Sequence, residues 1–132
     1  MANIVALSEA ASIGLHSMVL IAQSDKVLNV AEISEKICSS RHHVAKVMQH
    51  LAKQGLVTSN RGPNGGFTLK KPAEKISLLD IYETIDGKME VNICPGTTET
   101  CPFHACILGD IATKVTLEIK DFFESKKLSD YI

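Results

Sequence analysis

Three cysteines and a histidine lie within thirteen residues of the second half of the chain. Cys94, Cys101 and Cys106 are separated by stretches that contain Pro, Gly and Thr, and His104 lies between the last two. Such a backbone can wrap so that its thiols converge on one centre, and thiolates are the soft ligands that zinc and iron–sulfur clusters require. Three cysteines are one short of the usual four ligands. The segment indicates a metal centre with a further ligand from elsewhere, and three free thiols in a loop are the alternative.

The remaining cysteine and the apolar stretches bear on the cellular compartment. No segment has the ~18 uninterrupted apolar residues of a membrane span, and the apolar stretch 10–22 is preceded by Glu9 and by no Lys or Arg. We therefore expect a cytoplasmic protein that is neither exported nor membrane-bound, in which cysteines are thiols or metal ligands. Cys38, far from the other three, is predicted to be a small buried apolar residue.

The distribution of charge is more informative than the total. The chain has 132 residues and a formal charge of −1, which suggests one domain with a small appendage and argues against a strongly basic nucleic-acid binder. However, residues 36–71 contain seven Lys and Arg and no Asp or Glu, while the other residues carry seven basic and fifteen acidic groups. Clustered cations predict a polyanion-binding surface, because they gain by releasing phosphate counterions. The alternative is an ordinary solvated surface.

Helical periodicity places these cations on a helix-turn-helix. Ser8 is the predicted cap of a first helix that ends near Gln23, and Asn29 is the cap of a short second helix. After a break at 38–40, a third helix follows and Gly55 ends it, with apolar residues at helical spacing (Val44, Val47, Met48 and Leu51). Two short helices joined by a tight turn are typical of this motif. Opposite its apolar side the third helix presents an acid-free polar stripe: His42, Lys46, Gln49 and Lys53. We interpret it as a recognition helix, with a solvated face as the alternative.

A glycine-rich hairpin follows. Two short β-type runs, 56–60 and 67–69, flank Arg61 and a turn that ends in Gly65 and Gly66. An Arg at the tip of a narrow ribbon suits a minor groove or phosphates, although the glycines could serve the turn alone. The predicted DNA-contacting residues are Ser40, Arg41, His42, His43, Lys46, Gln49, Lys53, Arg61, Gly65 and Gly66.

Two more helices are predicted, at 77–86 and from about Ala105 to Lys126. The longer one has so much apolar surface that we expect it to contact a partner subunit, with packing onto the first helix as the alternative. The predicted fold class is mainly α with a small β-hairpin wing. Residues 1–90 form a winged helix-turn-helix domain, 91–104 a cysteine-bearing sensor loop, and 105–132 a dimerisation helix and tail.

The run from Gly55 to Phe67 resembles the strand and wing of the winged-helix iron–sulfur transcriptional regulators typified by IscR and NsrR. The segment 76–81 (Ile-Ser-Leu-Leu-Asp-Ile), the pair Asp86-Gly87, the cysteine loop and the long last helix follow in the order of that family. The resemblance covers nearly the whole chain. It implies a cytoplasmic homodimer, joined by its C-terminal helix, that binds pseudo-palindromic DNA operators with its third helix in the major groove.

The resemblance also implies a cofactor. Cys94, Cys101 and Cys106 would hold a 2Fe–2S or 4Fe–4S cluster whose state alters DNA affinity. Some members complete the cluster from the first helix of the partner subunit, and the matched positions are Ser12, a poor ligand, and His16. His104 is the rival. The middle cysteine is shifted relative to the family pattern, and some relatives lack a cluster and respond through thiols.

Two other classes compete with this interpretation. One is a zinc or thiol-redox DNA-binding regulator of the same fold without iron. The other is an enzyme or an electron carrier, for which the Cys and His content is the only support. Since the sequence has no nucleophile–base–orienter set and no nucleotide-binding glycine loop, we do not expect an enzyme.

Overall fold

The computed structural model describes residues 2–91 and 101–132 of the chain. It has five α-helices and one two-stranded antiparallel hairpin in the described residues, so the predicted fold class is confirmed. The elements are α1 (Glu9–Gln23), α2 (Val30–Ile37), α3 (Arg41–Lys53), β1 (Val57–Asn60), β2 (Gly66–Leu69), α4 (Leu78–Asp86) and α5 (Ile111–Ser125), with short 3-10 turns at Ala73–Lys75 and Leu128–Tyr131. No helix among the described residues is long and apolar enough to cross a membrane.

Side-chain caps explain why the first four helices begin where they do. The Ser8 hydroxyl accepts from the backbone N–H of Ala11, the Asn29 side chain caps α2 and the Ser40 hydroxyl caps α3. Ser77 forms a reciprocal capping box with Asp80 at the start of α4. Each cap satisfies a backbone donor that would otherwise lack a partner. These helix starts agree with the sequence prediction.

The core lies where α1 crosses α3 and α4. Helix α1 is buried on several sides, as predicted from its broad apolar surface, and α2 packs on both α1 and α3. The four apolar residues predicted on α3 are all buried. The largest fully buried apolar side chains are Met18, Leu28, Ile33, Met48, Leu51, Ile76, Ile81 and Leu128. This core holds α2 and α3 as a helix-turn-helix with the outer side of α3 free.

The hairpin is tied to the helical body by its second strand. Val57 pairs with Leu69 and Asn60 pairs with Gly66 within the hairpin. Phe67 also exchanges backbone hydrogen bonds with Leu28, at N···O distances of 2.7 and 3.4 Å, just before α2 begins. The wing is therefore anchored to the segment between α1 and α2, and residues 61–64 at its tip are exposed.

The last long helix is shorter than predicted. It begins at Ile111 and not near Ala105, since residues 106–110 form turns in which Gly109 has a φ of +58°. That left-handed backbone conformation interrupts a right-handed helix, and glycine adopts it readily. Helix α5 packs on α4, where Phe123 contacts Tyr82 with ring centroids 5.8 Å apart. The turn that follows it, Leu128–Tyr131, packs on α1.

One side of α5 carries exposed apolar side chains. Ile111 and Phe122 are 57% and 51% exposed, and no residue of the helix is buried. Val115 lies between them on the same side of the helix, four residues after Ile111. Leu108, just before the helix, is also exposed. An apolar stripe of this length is uncommon on a surface that faces water alone.

Candidate nucleic-acid interface and metal ligands

The predicted polar stripe is the outer surface of α3. His42, Lys46, Gln49 and Lys53 are all exposed and lie opposite the buried apolar side of the helix. Their spacing keeps them on one side of the helix over about three turns. The capping serine Ser40 and Arg41 are exposed at the end of α3 that begins this stripe. The stripe offers only donors and neutral polar groups, which suits the acceptor-rich edges of base pairs and phosphates.

His43 and His50 lie on a flank of α3 and contact neighbouring helices. His43 Nδ1–H donates to Glu9 Oε1 of α1 at 3.1 Å, and His50 Nε2–H donates to the Thr84 carbonyl oxygen of α4 at 2.8 Å. The acceptors are a carboxylate and a carbonyl, so each histidine must carry its proton on the named nitrogen. His43 was predicted among the DNA-contacting residues, and the structure places its side chain at the contact between α3 and α1. Glu9, Thr84 and His50 were not among the residues predicted for the site.

The cations of residues 36–71 all reach solvent. Every Lys and Arg in that segment is exposed. The ion pairs among the described residues are Lys26–Glu32 and His43–Glu9, so none of these seven cations has a carboxylate within 4.0 Å in that part of the chain. Surface cations without such partners need not break an ion pair to meet phosphate. This is the electrostatic surface that the charge distribution predicts.

Close backbone contacts require glycine at two positions of the wing, in addition to the turn that the sequence predicts. A side chain at Gly66, where φ is +152°, would place Cβ 2.4 Å from the carbonyl oxygen of Leu28. At Gly65 the corresponding distance is 2.3 Å, to the carbonyl oxygen of Asn60. Both atoms belong to backbone and cannot move aside, so the hairpin requires glycine at both positions. Arg61, in contrast, is exposed at the tip.

Two of the predicted cysteine ligands are exposed thiols. Cys101 and Cys106 are at the surface and form no disulfide with another described residue, whereas Cys94 lies outside the described residues. Within residues 2–91 and 101–132, no three His, Cys, Asp or Glu side chains are placed to hold a metal ion together. The soft, accessible donors of this segment are of the type that binds iron–sulfur clusters or zinc. Since all three cysteines lie in one short segment, their thiols are chemically suited to bind an iron–sulfur cluster or zinc together.

His16 is exposed on α1 and uses one of its ring nitrogens within the helix. Its Nδ1–H donates to the Ser12 carbonyl oxygen at 2.7 Å within α1, and the side chain is exposed. A carbonyl can only accept, so the neutral ring has its proton on Nδ1 and a free lone pair on Nε2. A backbone acceptor on one ring nitrogen commonly fixes the other as the metal-binding atom. His104, the rival ligand, is also exposed.

The prediction that Cys38 is buried is wrong. The residue caps the C-terminus of α2 with a φ of 55°, and its side chain is exposed in the turn of the helix-turn-helix. The left-handed conformation at a helix C-terminus turns the chain outward.

The end of α4 combines an aromatic and an acidic side chain. Burial between α4 and α5 raises the pKa of the Tyr82 phenol above its usual 10.0, and the negative charge of Asp86 raises it further. Asp86 also accepts a hydrogen bond from the Ser8 hydroxyl of α1. The Tyr82 phenol is therefore neutral at any physiological pH. The negative charge at this end of α4 belongs to Asp86.

Lys53→Ala is expected to weaken binding to all duplex DNA and to lower the slope of log Kobs against log salt by about 1, because one phosphate contact is lost. Lys75→Ala is the matched control, since Lys75 is also exposed but lies outside the acid-free segment. Fluorescence anisotropy with a labelled duplex between 50 and 200 mM salt measures both slopes. An unchanged slope for Lys53→Ala would remove this lysine from the interface.

The helix-turn-helix, its exposed acid-free outer helix and the attached wing define a winged-helix DNA-binding protein. The sequence profile of the Rrf2 family, described as iron-dependent transcriptional regulators, matches residues 7–132. A protein of Aquifex aeolicus (strain VF5) named as an HTH-type transcriptional regulator is 33% identical over 111 residues, covering 82% of this chain and 77% of that protein. The chain belongs to the Rrf2 family: it is a DNA-binding transcriptional regulator and not an enzyme.

Solved structures share the same fold. CymR, the global cysteine regulator of B. subtilis, is 21% identical, with a TM-score of 0.79 over 96% of this chain and 95% of that one. T. potens IscR is 23% identical, with a TM-score of 0.75 over 96% of this chain and 85% of that one. Staphylococcus aureus CymR is 24% identical, with a TM-score of 0.72 over 92% and 93%. The family expected from the wing and cysteine segment is confirmed.

Proposed function

We propose that this regulator is a cytoplasmic homodimer whose affinity for a pseudo-palindromic operator is controlled by an iron–sulfur cluster, of the 2Fe–2S or 4Fe–4S type. Cys94, Cys101 and Cys106 would hold the cluster, with His16 of the partner subunit as the fourth ligand. Residues 1–90 form the DNA-binding domain in this proposal, 91–104 the sensor loop and 105–132 the dimerisation region. The observation that carries it is the pair of exposed thiols, Cys101 and Cys106, in one segment between α4 and α5.

DNA binding follows from the exposed surface of α3 and the wing. The stripe of Lys46, Gln49 and Lys53 would enter the major groove, with the N-terminal residues of α3 nearest the base edges. Arg61 at the wing tip would reach phosphates or the adjacent minor groove. Of the ten residues predicted to contact DNA, His43 has a second role in packing, and Gly65 and Gly66 shape the wing backbone.

The cysteine segment lies between two elements that DNA binding depends on. It follows α4, which packs on α1 and α3, and it precedes α5, whose apolar stripe would form the dimer contact. A bound iron–sulfur cluster would supply a group whose charge and ligation respond to oxidants and to iron supply. Holding or releasing it would change the order of the segment and hence the spacing of the two recognition helices. Half-sites lie one DNA turn apart, ~34 Å, so small shifts in that spacing weaken binding.

The test is to purify the protein anaerobically and to record absorbance and EPR spectra of wild type, Cys106→Ala and His16→Ala. We expect visible absorbance in wild type, its loss in Cys106→Ala, and a shifted spectrum in His16→Ala because a nitrogen ligand is replaced. Cys38→Ala is the matched control, since Cys38 is an exposed thiol outside the segment. Operator titrations of cluster-loaded and cluster-free protein complete the experiment.

Two results would contradict the proposal. A colourless anaerobic preparation that contains no iron would exclude the cluster, and equal operator affinities with and without it would exclude control by it. An unchanged spectrum in His16→Ala would remove only His16 from the ligand set and would direct attention to His104.

A second candidate function is thiol or zinc sensing without iron. It is favoured by the exposure of Cys101 and Cys106 together with the shared fold of a solved structure titled as the oxidised form of Staphylococcus aureus CymR, which is 22% identical with a TM-score of 0.74. Metal analysis and thiol counting before and after mild oxidation distinguish the two candidates. Bound zinc or a reversible loss of thiols, with no iron, would support this second function.

A further inference from the structure

The first two residues at the start of α1 contact two other helices. The Ser8 hydroxyl lies 3.0 and 2.9 Å from the two carboxylate oxygens of Asp86 at the end of α4, and it accepts from the Ala11 N–H at 3.0 Å. Glu9, the next residue, accepts from His43 Nδ1–H of α3 at 3.1 Å. The start of α1 therefore joins the end of α4 to the first turn of the recognition helix.

A second contact holds the other end of α3. His50 Nε2–H donates to the Thr84 carbonyl oxygen, two residues before Asp86. The recognition helix is thus bound on one flank by α1 near its start and by α4 near its end. Its buried side is apolar (Val44, Val47, Met48 and Leu51). Apolar packing is not directional, whereas hydrogen bonds require particular distances and angles, so these two contacts constrain how α3 is rotated and tilted.

The charge of Asp86 is not explained by the stability of its own helix. Asp86 lies at the C-terminus of α4, where the helix dipole disfavours a carboxylate, but it faces the N-terminus of α1, where the dipole favours one. The Ser8 hydroxyl has one proton, which it gives to Asp86, so its lone pairs are free to cap α1. Asp86 thereby orients the turn of α1 that carries Glu9.

Glu9 is also a carboxylate beside a surface that should bind a polyanion. His43 and Glu9 side chains are 51% and 69% exposed, and an exposed pair of this kind contributes little to folding. On charge alone, Glu9 should repel DNA. We propose that Glu9 and Asp86 are positioning residues, which set the orientation of the recognition helix through His43 and Ser8. This inference rests on the proposed function, in which α3 reads the operator.

If Glu9 acted through its charge alone, removing it would tighten DNA binding. A positioning role predicts the opposite change, a loss of operator affinity. Glu9→Ala, which removes the acceptor of the His43 hydrogen bond, should lower operator affinity about threefold to fivefold, the upper range for an exposed pair, while binding to random duplex DNA stays the same or tightens. His43→Ala should have a similar effect, and the double variant should be no worse than either single one. Asp86→Ala should weaken operator binding in the same way, although Asp86 contacts α1 and not the outer side of α3.

The experiment uses the full-length protein purified anaerobically and an operator selected from random-sequence DNA with the same wild-type preparation. Glu74→Ala is the matched control, because it removes an exposed carboxylate that forms no ion pair within the described residues. Thermal melts establish that the variants are folded. The readout is the ratio of operator to random-DNA affinity, which a change in stability alone would leave unaltered in folded protein.

The outcomes separate this inference from the proposed function. Wild-type protein with no preference for the selected operator would overturn the role given to α3. Wild type with a clear preference that Glu9→Ala and Asp86→Ala keep intact would overturn the positioning role alone. Equal tightening on both DNAs in Glu9→Ala would show that Glu9 acts only through its charge.

Discussion

Gly66→Ala is expected to lower the free energy of unfolding by about 2–4 kcal/mol, because a side chain there meets backbone that cannot yield. The added Cβ would lie 2.4 Å from the carbonyl oxygen and 2.6 Å from the carbonyl carbon of Leu28. To avoid this contact, the chain must break the pairing between Phe67 and Leu28, which anchors the wing. Urea denaturation followed by circular dichroism measures the effect, and operator affinity should fall with it because Arg61 loses its support.

Gly62→Ala is the matched control in the same hairpin. Gly62 also has a positive φ, +106°, but a Cβ there would meet no atom within 4 Å. In this variant the free energy of unfolding should fall by only about 1 kcal/mol, because alanine adopts a positive φ less readily than glycine. The difference between the two variants isolates the steric contact with Leu28. If Gly66→Ala were as stable as wild type but bound DNA poorly, the glycine would serve close approach to DNA and not the packing of the wing.

Phe122→Glu is expected to convert the proposed dimer to a monomer and to lower operator affinity by about 100-fold or more, because binding two half-sites with linked subunits adds avidity of that order. Phe122 is half exposed on the apolar stripe of α5, and burying a carboxylate in a subunit contact is costly. Analytical ultracentrifugation measures the oligomeric state, and anisotropy with full operator and single half-site DNA measures affinity.

Lys120→Glu is the control for the change of charge, since Lys120 lies about half a turn away from Ile111 around the helix. Ile111→Glu is a second variant on the stripe, distant from Phe122 along the helix, and should repeat the effect. The half-site affinity of all three variants should stay close to that of wild type. A Phe122→Glu protein that remains dimeric and binds the full operator normally would exclude α5 as the subunit contact.

Local signals in the sequence were sufficient for most elements. Ser8, Asn29, Ser40 and Ser77 each stand before an apolar pattern of helical spacing, and each caps a helix in the structure. The hairpin could be predicted because its glycines, Pro63 and Asn64 favour a turn between two short β-type runs. Such signals act over a few residues, so they can be read without knowledge of the rest of the fold.

Predictions failed where the outcome depended on distant residues or on one backbone angle. The last helix begins late because Gly109 has a left-handed conformation, although the apolar pattern continues through it. Cys38 is exposed because the end of α2 turns its side chain outward, whereas composition alone favours burial for cysteine.

The sequence by itself determined the family, the helix-turn-helix with its wing, and the acid-free surface, because caps, periodicity and charge clustering are properties of short segments. Only the tertiary structure decided that Gly66 packs against Leu28, that His43 meets Glu9 and that Asp86 meets Ser8. In each of these three contacts the two partners are 34 to 78 positions apart in the chain. They meet only when α1, α3, α4 and the wing assemble around one core, so no local pattern records them.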